Sequence, residues 1–308
     1  MELTPLRYIL AIAEAGHMTR AAQSLGVTQP TLSAMLKKLE SEAGAELFYR
    51  SARGVTPTEA GKVFIEHAMS AVRSADMAVS SVRELAGLET GAVRLGGGAT
   101  AMLELMPGVI GRMRREHPGL RFHAREAGSA AVARGVLSGE LDLGVVTLPV
   151  RVPGAEDLLH VMEFTDELRL IVPPEHPLAG VDAFRWSDLA GASIVAFESG
   201  SAVREVIDSA AASAGVTLNV VVELRSIQSI QRMVKAGIGV GFVSRFSLAK
   251  DEGLPCADGE LHRTMALVRR GDRIPAHAAA AFEKEFVESI RWRIEKPGAA
   301  QPRAARSA

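Results

Sequence analysis

Cysteine is nearly absent. Cys256 is the single one in 308 residues, which excludes an internal disulfide, a paired-thiol switch within the chain and a multi-cysteine zinc site. Net charge is nearly absent as well. The 35 Lys and Arg stand against 36 Asp and Glu, a formal charge of −1, so no overall basic balance advertises nucleic acid. No run of about 18 apolar residues occurs, and no membrane-spanning helix is expected. The opening MELTPLRYIL has an acid at position 2 and no basic stretch before an apolar core. It does not read as a secretion signal, and a cytoplasmic protein is the expectation. Catalytic signatures are missing too: there is no HExxH, GxSxG, P-loop lysine motif or CxxC. His67, His117, His123, His160 and His176 are scattered without ligand spacing, so no metal and no cofactor is expected. What remains is globular, 47% hydrophobic and 23% charged, with a length suited to two or three domains at roughly 100–200 residues each.

Residues 1 to about 88 read as helical. Leu6, Ile9, Leu10 and Ala13 fall on one helix face, Ala21, Ala22 and Leu25 on a second, and Leu32, Met35, Leu36 and Leu39 on a third. Gly16, Gly26 and Gly44 separate them. A stretch from Leu47 to Thr56 with Gly54 suits a short hairpin, and Thr58 opens a long helix to about Leu85. From Val93 short apolar runs alternate with amphipathic segments. Strands are expected at Val93–Leu95, Leu120–Glu126, Leu143–Val146, Leu168–Val172, Ser193–Phe197, Val220–Leu224, Gly241–Val243 and Thr264–Val268, and helices at 101–116, 129–138, 202–214, 226–236 and 276–293. This alternation predicts a parallel sheet covered on both faces. Residues 296–308 lack apolar periodicity and read as a loose tail.

The second and third helices have the spacing of a helix-turn-helix. Ala22 is small where two helices would cross, Gly26 suits the turn, and Leu32 lies where the second helix packs back. Thr28 is an N-cap candidate, and Pro30 is tolerated in a first helical turn. The polar face presents Gln29, Thr31 and Ser33, with Lys37 and Lys38 further along. Short donors and acceptors near a helix N-terminus read a major groove, and lysines meet phosphates. Arg50 and Arg53 sit where a wing would hold them beside the minor groove. An ordinary three-helix bundle shares these spacings, and residues 1–65 hold seven Lys and Arg against six Glu, so the basic groups must be segregated to one face to bind DNA. On the long helix, Ile65, Ala68, Val72, Ala75, Val79, Val82 and Ala86 form an a/d seam. The seam packs either on its own domain or on the same helix of a second chain.

In the larger half, Gly96, Gly98 and Ala101 satisfy GxGxxA, without a convincing ribose-binding acid after the next strand. A nest of amides at a helix start, with the Thr100 hydroxyl, suits a small anion. Ser129, Thr147, Ser199 and Ser201 also follow expected strands. These hydroxyls either converge on one ligand in a crevice or serve as plain N-caps. Arg225 balances a charged ligand or pairs with Glu223 or another acid.

From Leu6 to Gly61 the chain resembles the winged helix-turn-helix of LysR-type transcriptional regulators. The matching pieces are Thr19-Arg20-Ala21-Ala22, Gln29-Pro30-Thr31-Leu32-Ser33, Leu39-Glu40, Gly44, Leu47-Phe48-Tyr49-Arg50 and Thr58-Glu59-Ala60-Gly61. Two positions depart: His17 stands where the family usually has a capping serine, and Ala34 where many members carry arginine. GAVRLGGGAT, GELDLGVVTLP, HPLA and MVKAGIGVGFVSR are similar to landmarks of the family's effector domains. The resemblance implies an N-terminal all-α winged helix-turn-helix (1–61) and a dimerisation linker helix (58–88). It further implies an α/β periplasmic-binding-protein-like effector domain (91–295) of two Rossmann-like subdomains, 91–163 with 267–295 and 164–266. It puts Gln29, Pro30, Thr31, Ser33, Lys37, Lys38, Arg50 and Arg53 on double-stranded DNA. Thr100, Ser129, Thr147, Ser199 and Ser201 fall to a small-molecule effector of anionic character. The implied partners are a second copy, as dimer or dimer of dimers, and RNA polymerase, in the nucleoid and not at a membrane. The alternative is a nucleotide-dependent α/β enzyme with an incidental helical bundle, and a solute-binding protein leaves residues 1–88 unexplained.

Overall fold

The structure is a computed structural model and describes residues 2–51, 54–85 and 91–295. These residues divide into an N-terminal unit and a larger unit that carries the main sheet. Among them no helix is long and apolar enough to cross a membrane.

In the N-terminal unit, α1 (Leu3–Ala15), α2 (Met18–Ser24) and α3 (Gln29–Ala43) follow the expected helices closely. Their apolar stripes meet in one core: Ile9 and Ile12 of α1, Ala21 and Ala22 of α2, and Leu32, Leu36 and Leu39 of α3. Gly16 and Gly44 end α1 and α3 in the left-handed region, at φ 63° and 70°, where a glycine carries no Cβ penalty. His17 begins α2 without a side-chain capping bond. The hairpin is β1 (Phe48–Ser51) against β2 (Gly54–Pro57), in register from Phe48↔Pro57 to Ser51↔Gly54. It is tied to the helices by the Val55 amide, which donates to the Gly16 carbonyl at 2.8 Å.

α4 (Glu59–Leu85) starts one residue after Thr58, whose hydroxyl accepts from the Gly61 amide at 2.9 Å and donates to the Glu46 carbonyl at 2.7 Å. Ala68 and Val72 of the expected seam are buried against Leu6, beside Leu10 and Phe64. Arg7 of α1 pairs with Asp76 of α4 at 2.5 Å. This part of the seam therefore packs within its own unit, because α1 offers it a facing apolar stripe. The Val79, Val82 and Ala86 side chains lie outside the described residues, as do Arg53 and the tail at 296–308.

The larger unit carries β3 (Ala92–Gly97), a π-helical turn (Ala101–Leu105), α5 (Met106–Glu116), β4 (Arg121–Glu126), α6 (Ser129–Leu137) and β5 (Leu143–Thr147). Then come β6 (Leu158–Ile171), β7 (Ser193–Phe197), α7 (Ala202–Ser213), β8 (Asn219–Leu224), α8 (Ile227–Lys235), β9 (Val240–Ser244), β10 (His262–Arg270) and α9 (His277–Glu295). The strand order is β4-β3-β5-β10-β6-β9-β7-β8. The expectation of a parallel sheet needs correction. β3 is parallel to β4 and β5, and β7 to β8 and β9, but β6 and β10 run antiparallel to each other, and β10 runs antiparallel to β5 and β6 to β9. Two parallel three-stranded lobes are thus joined by two long strands that cross between them. Antiparallel pairing arises because the chain passes from the first lobe to the second on β6 and returns on β10.

Each lobe has its own core. Phe282 and Phe286 of α9 pack with Val93, Leu95, Leu143 and Phe164 in the first. Phe184, Trp186 and Phe242, with ring centroids 5.5–5.6 Å apart, anchor the second. The expected helix 101–116 is split, because Pro107 has no amide to donate to the carbonyl four residues back. The backbone takes a π turn before α5 begins.

Candidate DNA-reading face and ligand cavity

α3 buries Leu32, Leu36 and Leu39 and turns the rest of its surface outward. Thr28 caps it: its Oγ1 accepts from the Thr31 amide at 3.3 Å and lies 2.8 Å from the Thr31 hydroxyl. Gln29, Pro30, Thr31, Lys37 and Lys38 are exposed and Ser33 is half-buried. Arg50 on β1 is exposed and its Nη1 donates to the Ser33 Oγ at 3.3 Å. The hairpin therefore brings a guanidinium onto the same face as the N-terminal half of α3. Glu40, part of the matching piece Leu39-Glu40, sets this placement. The Glu40 carboxylate accepts from the amides of Leu47 (2.9 Å) and Phe48 (3.4 Å), fixing the start of the hairpin to α3. Thr28→Ala is expected to cost about 1 kcal/mol of stability by loss of the cap, measured by urea denaturation.

In the larger unit the turns after β3, β4, β5, β7 and β8 open on one side of the sheet, the usual place for ligands in open α/β sheets. Between the lobes is a cavity of about 370 Å³. Thr100, Ser129, Thr147, Ser199 and Ser201 all line it, as do Arg225 and Arg263. The five hydroxyls predicted from strand ends are thus together. They also have structural partners: the Ser129 Oγ accepts from the Thr147 amide at 2.9 Å, and the Ser201 Oγ donates to the Glu198 carbonyl at 2.8 Å.

Arg263 was not singled out by the sequence. It is 8% exposed and faces the fully buried Asp166 of β6. Its Nε and Nη2 each lie 2.8 Å from Asp166 Oδ2, its Nη2 donates to Thr100 Oγ1 at 2.8 Å and its Nη1 to Thr147 Oγ1 at 3.3 Å. The Ser244 hydroxyl, at the end of β9, donates to the other Asp166 oxygen at 2.6 Å. Burial pushes the Asp166 carboxyl up, against the opposing pull of the Arg263 guanidinium and the Ser244 hydroxyl. The network joins both crossing strands to both lobes.

Arg225 pairs with Glu198 and not with Glu223. Its Nε and Nη2 meet the two Glu198 oxygens at 2.6 and 2.9 Å, and this hydrogen bonding holds the Glu198 carboxyl below the usual range. Glu223 is taken by Arg204 at 3.0 Å. The GxGxxA match also has a packing explanation. A Cβ on Gly96 would lie 2.3 Å from Leu141 and 3.1 Å from Val132, so this glycine lets α6 and the following turn close on β3. Cys256 is half-buried and lies away from the cavity lining.

Two family models match. The bacterial regulatory helix-turn-helix of the lysR family covers residues 3–62 and the LysR substrate binding domain covers 86–291. A probable RuBisCO transcriptional regulator of Cyanidioschyzon merolae is 34% identical over 81% of this chain and 83% of its own. A hydrogen peroxide-inducible genes activator of Pectobacterium carotovorum is 30% identical over 96% and 97%. A full-length OxyR variant from Pseudomonas aeruginosa superposes with a TM-score of 0.70 at 26% identity, covering 93% of this chain and 94% of that one. These matches span both units of the fold, and the chain belongs to the LysR family of DNA-binding transcriptional regulators, with an effector-binding domain and no enzymatic role.

Proposed function

We propose that α3 lies along the major groove of double-stranded DNA, with Gln29, Pro30, Thr31 and Ser33 at base edges, Lys37 and Lys38 on phosphates and Arg50, with Arg53, flanking the groove. The observation that carries this reading is the meeting of Arg50 with Ser33 on one exposed face, beside a capped helix start. It segregates basic and short polar groups in a domain with almost no net charge. Two such helices at a fixed separation read two half-sites, and this requires a second copy, as dimer or dimer of dimers. Contact with RNA polymerase, a place in the nucleoid of the cytoplasm, and domain limits of 1–61, 58–88 and 91–295 belong to the same proposal. Subdomains at 91–163 with 267–295 and at 164–266 place their division within β6 and near the middle of β10.

The cavity between the lobes takes the effector, with Thr100, Ser129, Thr147, Ser199 and Ser201 around it. A ligand that fits one lobe spacing better than another shifts the population toward it, and DNA occupancy follows. The relatives carry different regulatory names, so neither target genes nor effector transfer by name.

The test is a titration on genomic fragments selected by the full-length protein. Gln29→Ala is expected to reduce the preference for selected over random DNA by about tenfold, in line with the 1–3 kcal/mol of a good base contact. Arg50→Ala is expected to weaken binding to both, lowering the slope of log K against log salt by about one. Unchanged preference and unchanged slope contradict the assignment.

A further inference from the structure

We propose that Ser244 is a positioning residue for regulation: it closes a buried polar ladder, Thr147–Arg263–Asp166–Ser244, that spans the sheet from one lobe to the other and holds the lobes at a single spacing. The step from lobe spacing to DNA occupancy rests on the reading of the cavity as the effector site.

The ladder follows from strand register. β5, β10, β6 and β9 are neighbours in the sheet, in that order, β5 belonging to the first lobe and β9 to the second. Arg263 lies opposite Asp166 on the two crossing strands. Thr147 lies opposite Met265, two residues from Arg263, and Ser244 lies opposite Leu168, two residues from Asp166. A spacing of two keeps a side chain on one face of a sheet, so the four meet in a row. Arg263 Nη1 donates to Thr147 Oγ1 at 3.3 Å and its Nε to Asp166 Oδ2 at 2.8 Å, while the Ser244 hydroxyl donates to Asp166 Oδ1 at 2.6 Å. Arg263 Nη2 adds Thr100 of the first lobe at 2.8 Å. All of these residues are buried. Ser244 also ties down the turn that follows it. Its Oγ accepts from the Phe246 amide at 3.1 Å, and the Phe246 ring packs edge-on against Phe164 in the first-lobe core.

A change in lobe spacing has to twist β5 against β9, and the strands between them carry the ladder. Apolar side chains slide past one another at little cost. Hydrogen bonds weaken steeply with distance and angle, and a buried carboxylate that loses a partner is left with its desolvation cost. The row is therefore either made or broken, without graded states between. Thr147 also lines the cavity, so an occupant there acts on the end of the ladder, whatever its chemistry. Ser244 does not line it, which lets the ladder be cut without altering the cavity wall.

The experiment is a pulsed electron spin resonance distance measurement on the full-length protein without added ligand. The protein is spin-labelled at Arg134→Cys on α6 and Ser209→Cys on α7 in a Cys256→Ser background and diluted with unlabelled protein. The intact ladder is expected to give one narrow distance distribution. Ser244→Ala is expected to give one at least about twice as wide, and Thr147→Val, which cuts the opposite rung, is expected to do the same. Val195→Ala, a buried truncation in the second-lobe core that is not part of the ladder, controls for lost stability and should leave the width unchanged. Unchanged width in the folded ladder variants, a broad distribution with the ladder intact, or equal broadening by Val195→Ala overturns the proposal. Retention of selected DNA fragments separates the two levels. Ser244→Ala is expected to change it by at least about threefold. If the width changes and retention does not, the ladder stands and the link from lobe spacing to DNA occupancy falls.

Discussion

Arg263→Met is expected to destabilise the larger unit by about 3–5 kcal/mol, the usual cost of removing one partner of a buried ion pair. Asp166 is fully buried, and without the guanidinium its carboxyl keeps only the Ser244 hydroxyl at 2.6 Å. Methionine fills much of the arginine stem's volume, so the cost is electrostatic more than steric. The double variant Arg263→Met/Asp166→Leu removes both charges and is expected to recover most of the loss. The pH dependence has a definite sign. Burial already raises the Asp166 carboxyl above its ordinary range, and loss of Arg263 raises it further. The folded single variant then holds its proton more tightly than the unfolded chain does. Its penalty is therefore full above the folded pKa and shrinks as pH falls toward the unfolded value of about 4. Urea denaturation at pH 7.5 and pH 5 measures both effects. Equal stability of the single and double variants at pH 7.5 would show that the pair does not behave as a buried charge couple.

Gly61→Ala is expected to unfold or rearrange the N-terminal unit, at about 3 kcal/mol or more, beyond ordinary overpacking. A Cβ at this position would lie 1.9 Å from the Leu47 carbonyl oxygen and 2.9 Å from its carbon. The obstacle is backbone, and it is fixed from two directions: that carbonyl accepts from the Thr58 amide at 3.0 Å, and the Leu47 amide donates to Glu40 of α3. The first turn of α4 thus presses on the start of the hairpin, and a methyl group must push α4 or the hairpin away. Since Arg50 follows directly on β1, the proposed DNA-reading face should be lost with it. A lowered melting temperature together with loss of fragment retention is the expected result. A variant with the wild-type melting temperature would mean that the two segments are not held this closely.

The N-terminal unit was legible almost residue by residue, because each of its helices is amphipathic and stopped by glycine or opened by threonine. Gly16, Thr28 and Gly44 mark boundaries that the structure keeps. The lobes were legible as alternating strands and helices for the same reason. Strand direction was not, since period-2 and continuous apolar patterns say nothing about whether neighbours run parallel. The first ten residues of β6 are not legible as strand because LLHVMEFTDE interleaves charges with apolar residues, and the strand passes from one lobe to the other instead of lying in a single core. Five cavity hydroxyls could be found because each follows a strand. Arg263 could not: it lies within β10 and has no local motif. Its partners Thr100, Thr147 and Asp166 are 163, 116 and 97 residues away in the chain. A charged residue two positions before the apolar Met-Ala-Leu-Val of a buried strand, with Thr264 between, was the available signal. Of the seam on α4, Ala68 and Val72 are covered within their own unit and not by a second copy, and the apolar face of α1 that covers them becomes visible only when the helices are packed.

The proposed role of the segment from Thr28 to Lys38 is to sense base edges in the major groove. Its most direct measurement is methylation interference on a fragment selected from the source genome by the full-length protein at low salt. Guanine N7 lies in the major groove, so its methylation at particular positions should block retention by the wild-type protein, and Gln29→Ala should relieve or shift at least one of those positions. Retention of no fragment, or an interference pattern that is unaffected by Gln29→Ala and Thr31→Val, would contradict it.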